Sequence, residues 1–430
     1  MNGGLSMVEM KSGYKMTEVG VIPEDWEVCE LKNHLVLLTD YDANGSFADM
    51  ASNVVTTTGN GYAWYVRATD LEQQSSLSEV KYVDEKSYRF LRKSTLYGGE
   101  VLLAKRGEIG KVYYFQMKTK RATLAPNLYL LKLKDTINSY FLFSLFKSTF
   151  GQNLLKSINA STSLGAIYKD DVKGLNILIP PFEEQASIAT ALSDVDSLIS
   201  ALTKKIEKKK AIKQGLMQQL LTGKKRLPGF CGDWMTYSIE ELFELGNGYT
   251  PSKAITSFWF NGTIPWFRME DIRLHGRILK DSIQHITLKA VKGGRLFPKD
   301  SIILSTTATI GEHAWLNVDS LANQQFTFLM RKRSCCDTIS VKYFFYYCYI
   351  LGDWCRANIN EGGLMAVNME DLRKYNFAIP PTISEQTAIA NILSDCDSEI
   401  AALKEKRDKY KEIKQGMMQQ LLTGKIRLIK

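Results

Sequence analysis

Residues 185–227 recur without a gap as residues 386–428, with 28 of 43 aligned positions identical. The strongest block runs Ile212–Lys224 (IKQGLMQQLLTGK) and again Ile413–Lys425 (IKQGMMQQLLTGK). Just upstream, Ile179-Pro180-Pro181 matches Ile379-Pro380-Pro381, with one residue inserted between the copies. Fainter echoes cover the rest. Tyr65-Val66-Arg67 with Asp70 resembles Trp266-Phe267-Arg268 with Asp271, and Ile109-Gly110 resembles Ile310-Gly311. Two copies with so long a period cannot build a solenoid. The chain reads as a tandem duplication: a variable globular domain, a well-matched segment, then both again.

The matched segments read as helices. After the Pro-Pro stop, apolar residues fall at Ile188, Leu192, Val195, Ile199, Leu202 and Ile206, in steps of four and three. That is the heptad seam of a coiled coil. The second copy keeps Ile389, Leu393, Cys396, Ile400 and Leu403, then puts Arg407 where the first has Ile206. The seam resumes at Ile212, Leu216 and Leu220, and Gly223 and Gly424 stand where a helix stops. A helix of about 38 residues spans roughly 57 Å, too long for one small domain. The expectation is an antiparallel intramolecular coiled coil, with a globular domain at each end and pseudo-two-fold symmetry.

The globular halves read as α+β. Strand-like runs at 100–104, 111–115, 128–133 and 301–305 alternate with turns, and helices are expected at 139–158 and 341–358.

Chemistry-bearing patterns are missing. The Gly223-Lys224-Lys225 stretch lacks the spacing and hydroxyl of a phosphate loop, and it follows a helix where phosphate prefers a helix start. No GxGxxG, CxxC or HxxxH occurs, and the four histidines are scattered. Asp194 and Asp196, like Asp395 and Asp397, stand two apart on a helix and so point to different faces. No glycine-rich methylase loop and no Asn/Asp-Pro-Pro-aromatic tetrapeptide is found. The reading is therefore no catalytic residue, no metal and no cofactor. Seven cysteines without framework spacing, and an opening stretch unlike a signal peptide, predict free thiols in a reducing cytoplasm. The longest apolar run, 343–351, is about half a membrane span.

The net charge is only +9, but it is concentrated. Residues 86–121 hold ten basic and two acidic side chains, and residues 268–299 hold eight and three. Both stretches border the aligned loops, and their recurrence at equivalent places favours double-stranded DNA as the ligand. Candidate contacts in the first half are Arg67, Lys105, Arg106, Lys111, Asn127, Ser161, Thr162 and Ser163. In the second half they are Arg268, Thr306, Thr307, Asn323, Gln324 and Gln325. Arg and Lys neutralise phosphates, while Arg, Thr, Asn and Gln can read base edges. A shared frame with unlike polar loops suits two modules that read different sequences.

The tandem order, the two lead-ins Ile179–Gln185 and Ile379–Gln386, and the paired QQLLTGK ends resemble the specificity (S) subunit of type I restriction–modification systems. The resemblance covers nearly the whole chain. It implies target-recognition domains at 1–182 and 229–381, each reading one half of a split DNA site. It implies spacer helices at 183–228 and 382–430 that dock two modification (methyltransferase) subunits. S-adenosylmethionine would sit on those subunits, and ATP and magnesium on restriction subunits. The near-identical ends, Gln218, Gln219 and Leu220 with Gln419, Gln420 and Leu421, are the expected docking residues. The competing reading is a fused restriction–modification enzyme with its own methylase chemistry, against which the missing signatures and the short length argue. The Ile206/Arg407 mismatch departs from strict symmetry.

Overall fold

The computed structural model describes residues 12–73, 75–159, 165–294, 296–360 and 365–428. The chain forms two compact units. One comprises residues 1–203 with 405–430, the other residues 204–404.

In the first unit a four-stranded sheet is ordered Val112–Tyr114, Val101–Ala104, Leu128–Leu133, Leu35–Asp40, all antiparallel. Its two central strands are apolar at nearly every position because both faces are covered. Val101, Leu103 and Leu131 pack with Phe141, Leu142 and Leu145 of the helical layer. Leu102, Ala104, Leu128 and Leu130 face the other way, onto Trp64, Val66, Phe115 and Leu124. Those belong to or border a five-stranded sheet in which Ala63–Val66 runs parallel to Ala122–Leu124.

The second unit repeats the scheme. Ile302 and Leu304 face the helix Val341–Ala357, while Ile303 and Phe328 face the opposite layer. There Ile264–Phe267 runs parallel to Leu321–Ala322, and Trp266 and Phe267 pair with Leu321 and Ala322 as Tyr65 and Val66 pair with Thr123 and Leu124. The expected strands form at Val101–Ala104, Val112–Tyr114, Leu128–Leu133 and Ile302–Ser305.

The expected helix at 139–158 is instead two, Ser139–Lys147 and Thr149–Ser157. Ser148 separates them: its hydroxyl donates to the Leu145 carbonyl at 2.6 Å and accepts from the Gly151 amide at 3.2 Å. A Cβ on Gly151 would lie 2.1 Å from that same carbonyl, so only glycine permits this break. The counterpart Val341–Ala357 is unbroken.

The long helices are Phe182–Leu220 and Ile383–Leu421, 39 residues each. They pair antiparallel inside each unit. In the first, Lys414 Nζ donates to both oxygens of Asp196, which also accepts from the Tyr140 hydroxyl at 2.5 Å. In the second, Lys213 binds Asp397 at 2.6 Å and Tyr346 donates to the same carboxylate at 3.0 Å. Lys213 and Lys414 are equivalent positions of the repeated block, so part of its identity is spent on these pairs. Of the seam, Ile188, Leu192, Leu202, Ile206, Ile389, Leu393 and Ile400 are buried. Ile212 departs from expectation, being 44% exposed, as is its equivalent Ile413 at 42%. The expected positions Leu216 and Leu220 turn inward there, with Met217, onto the core of the second unit.

The repeated lead-ins anchor each unit. Gln185 and Gln386 are fully buried and accept from the amides that open the next helical layer, Asn138 (2.9 Å) and Ser340 (2.8 Å), while donating to the Pro180 and Pro380 carbonyls. Glu184, fully buried, accepts from Arg427 Nε at 2.8 Å and Trp26 Nε1 at 2.9 Å. Glu385, also fully buried, accepts from Arg226 Nε at 2.6 Å and Nη2 at 2.7 Å. Among the described residues no helix is long and apolar enough to cross a membrane.

Candidate nucleic-acid interface

In each unit three separate segments meet in the same pattern. In the first, the Lys105 amide donates to the Asn127 carbonyl (2.9 Å) and the Ile167 amide to the Lys105 carbonyl (3.1 Å), with Arg106 bridged to Ala166. In the second, the Thr306 amide donates to the Gln325 carbonyl (3.1 Å) and the Val367 amide to the Thr306 carbonyl (2.9 Å), with Thr307 bridged to Ala366. The backbone contacts of these loops thus recur in both units while the side chains differ.

The structure divides the candidate contacts by what already occupies them. Arg106 is exposed and has no ion pair among the described residues. Asn127 is exposed at φ +73°, a turn position at which Asn is tolerated better than most residues. Lys105 is different: its ammonium meets Asp40 and Asp42, each at 2.7 Å, and only 13% of the side chain is exposed. Burial pushes its pKa down, but the two carboxylates outweigh that and hold it above the usual lysine value. Its charge is therefore neutralised inside the unit. Lys111 pairs with Glu72 and Glu108 at 3.0 Å each, and Arg67 clasps buried Asp70. Arg268 lies over the Trp266 ring at 5.7 Å and pairs with Glu270 at 2.8 Å.

Thr306 is an interior residue, 6% exposed, with its hydroxyl on Thr327 at 3.0 Å, which corrects its expected place at the surface. Thr307 is partly exposed. Gln325 spends its amide on Ser305 and Thr309, and Asn323 accepts from the Gln325 amide. Gln324 is exposed, accepting from the Thr250 hydroxyl at 2.5 Å. Ser161, Thr162 and Ser163 lie outside the described residues.

One feature went unread in the sequence. Beside Arg106 and Asn127 opens a cleft of about 610 Å³ bordered by Phe47, Tyr65 and Pro126. Phe47 is 91% exposed, held at the first turn of the short helix Phe47–Asn53 by the Ser46/Asp49 capping box. The Ser-x-x-Asp spacing was the available signal for that turn. At the helix ends, Gln218, Gln219 and Gln419 are exposed and Gln420 half-buried. Leu220 (1%) and Leu421 (5%) are interior, which corrects their assignment as docking residues: each completes the core of its own unit.

The chain as a whole is similar to known proteins. The profile described as "Type I restriction modification DNA specificity domain" matches residues 23–214 and again 232–415. The specificity subunit of the type I restriction enzyme EcoprrI of Escherichia coli is 46% identical over 174 residues, a stretch covering 40% of this chain and only 43% of that protein. The putative MjaX specificity subunit of Methanocaldococcus jannaschii is 27% identical over 436 residues, 97% of each chain. Among solved structures, an S subunit of a type I restriction–modification system from M. genitalium superposes with a TM-score of 0.59 at 13% identity, covering 92% of this chain and 96% of that one. A chain from a study of complex assembly and conformational transition in a type I R-M system gives 0.55 at 16% identity, covering 94% and 99%. With two copies of its domain in tandem, this chain belongs to the family of type I restriction–modification DNA specificity subunits.

Proposed function

We propose that the chain is the DNA-reading, non-catalytic component of a type I restriction–modification complex. Each unit reads one half of a bipartite target. The long helices set the gap between the halves and dock two copies of the methyltransferase subunit, which hold S-adenosylmethionine. Restriction subunits, using ATP and magnesium, join that core. The observation that carries this reading is a loop backbone repeated between the units with unlike side chains left available on it: Arg106 and Asn127 in one unit, Thr307 and Gln324 in the other. A common frame with different contacts is what reading two different half-sites requires.

Methylation mapping of DNA from cells carrying the complete system tests this. The expected motif has two unlike half-sites separated by a gap of unspecified bases, and a continuous motif would overturn the reading. Inserting four residues in each long helix lengthens it by about 6 Å. The gap should then grow by about one or two base pairs, since roughly 34–36 Å spans one turn of the duplex. The bases of both half-sites should stay the same.

Arg106 is the strongest single candidate for a base or phosphate contact, because its charge is exposed and unspent. Arg106→Ala should weaken binding by about 1–3 kcal/mol. A base contact relaxes one position of the motif. A phosphate contact weakens all sequences alike and lowers the salt slope by about one. Lys105→Ala should act mainly on the stability of the first unit, through the loss of Asp40 and Asp42 as partners. Electrophoretic shifts across a salt series, with thermal melts of both variants, separate these outcomes.

A further inference from the structure

Each unit has a groove between its recognition-domain helix and the last half of a long helix. In the first unit it is about 510 Å³, in the second about 400 Å³. One wall is the same in both: Lys411, Gln415, Met418 and Gln419 in the first, Lys210, Gln214, Met217 and Gln218 in the second, at identical places in the repeat. A repeated surface recognises the same thing twice, whereas the two DNA half-sites differ. The grooves therefore suit two copies of one protein partner better than DNA.

The other walls differ. Counting from the helix caps Asn138 and Ser340, the ninth residue is Lys147 in the first unit and Tyr349 in the second, and each lines its groove. The first groove is lined by four lysines (147, 411, 414 and 425) and by no carboxylate. Lys414 is neutralised by Asp196, and Lys411 meets exposed Asp408 at 3.2 Å. Lys147 and Lys425 have no ion pair among the described residues. The Lys147 side chain is exposed at the groove surface, yet desolvation by the surrounding groove walls, and then the neighbouring Lys414, push its ammonium below its usual pKa. In the second groove Asp397 and Asp353 stand among the basic residues, neutralising Lys213 and Arg356. Of the basic residues there only Lys404 has no ion pair among the described residues, and Tyr349 and Ile350 present apolar surface, as Phe150 does in the first groove.

Resting on the docking role proposed above, we propose that the two methylase positions on this chain are unequal. The groove at Lys147 takes an acidic segment of the partner through unspent positive charge. The groove at Tyr349, where two carboxylates offset the basic residues, takes the same segment with less charge attraction and a larger share of apolar contact. The first position then depends steeply on salt and the second weakly, because exposed charge pairs are screened and apolar burial is not.

The test uses the full chain with its own methylase subunit, counting bound copies by native mass spectrometry across a salt series. The wild-type chain should take two copies at low salt, with two different salt slopes. Lys147→Glu should weaken one copy by roughly tenfold and flatten its slope, leaving the other copy unchanged. Lys147→Tyr should bring the two slopes together. Thermal melts close to wild type would show both variants folded, as expected for an exposed side chain. Equal slopes in the wild-type complex, or a Lys147→Glu variant that loses both copies alike or neither, would overturn the inequality while leaving the docking reading intact. A loss of DNA affinity in the chain without methylase would reassign the groove to the DNA backbone. A wild-type chain that takes no copy at all would overturn the docking reading and this inference together.

Discussion

Arg226→Ala should destabilise the second unit by about 3–5 kcal/mol, the usual cost of stranding one member of a buried ion pair. The carboxylate of Glu385 is fully buried and its ion-pair partner is Arg226. The same guanidinium also donates to the Gly232 carbonyl at 2.7 Å and the Cys231 carbonyl at 3.1 Å, so the substitution frees three acceptors at once. Urea melts of the full chain should show an early transition for this unit. The double variant Arg226→Met with Glu385→Leu should recover much of the loss, since it leaves no charge behind. A single variant within about 1 kcal/mol of wild type would mean that water reaches Glu385.

The second large effect depends on pH. His313 sits in the strand His313–Leu316 at 1% exposure, ringed by Phe345 and Tyr349, and its Nε2 has no partner among the described residues. Burial, and then the nearby Arg277, lower its pKa to about 3. In the unfolded chain it titrates near ~6.5. Between these values the unfolded state holds the proton and the folded state does not. Stability is therefore unaffected by this group above about pH 6.5, and it falls as pH drops towards 3, by about 1.4 kcal/mol per unit. By pH 5 the loss is about 2 kcal/mol. His313→Phe should abolish that slope, as read from urea midpoints at neutral pH and pH 5. Identical slopes in the two proteins would show that the imidazole finds an acceptor when charged.

Much of this fold is legible because it repeats. The long helices announce themselves by a seam in steps of three and four, and the sheet strands by short apolar runs. Ser148 hides from that reading. Residues 139–158 have the composition of one helix, and the break depends on a glycine packed against a carbonyl six residues earlier in the chain. Ile212 fits a heptad by spacing yet is exposed, because spacing does not say which face finds a partner. The site is less legible for an electrostatic reason. Lys105 and Arg106 are adjacent basic residues in one loop, but only Lys105 meets Asp40 and Asp42, more than sixty positions away. Thr306 and Thr307 look alike in the sequence, and the pleat sends only the first hydroxyl inward, onto Thr327. Sequence proximity places these loops; long-range pairing decides which side chain is left over for a ligand.

The two units also differ in how the ribosome must deliver them. The second is one continuous stretch, 204–404, whereas the first joins residues 1–203 to residues 405–430. Glu184 therefore has no Arg427 to pair with until residue 427 has been made. At about 5–20 residues per second, some 200 intervening residues take roughly 10–40 s to synthesise. During that interval the second unit can close while the first waits with one wall of its core missing, at Leu421 and Leu422. The half of the protein that is made first is thus the half that finishes last, and a ribosome that stops short of residue 405 releases a chain whose first unit lacks Leu421, Leu422 and Arg427.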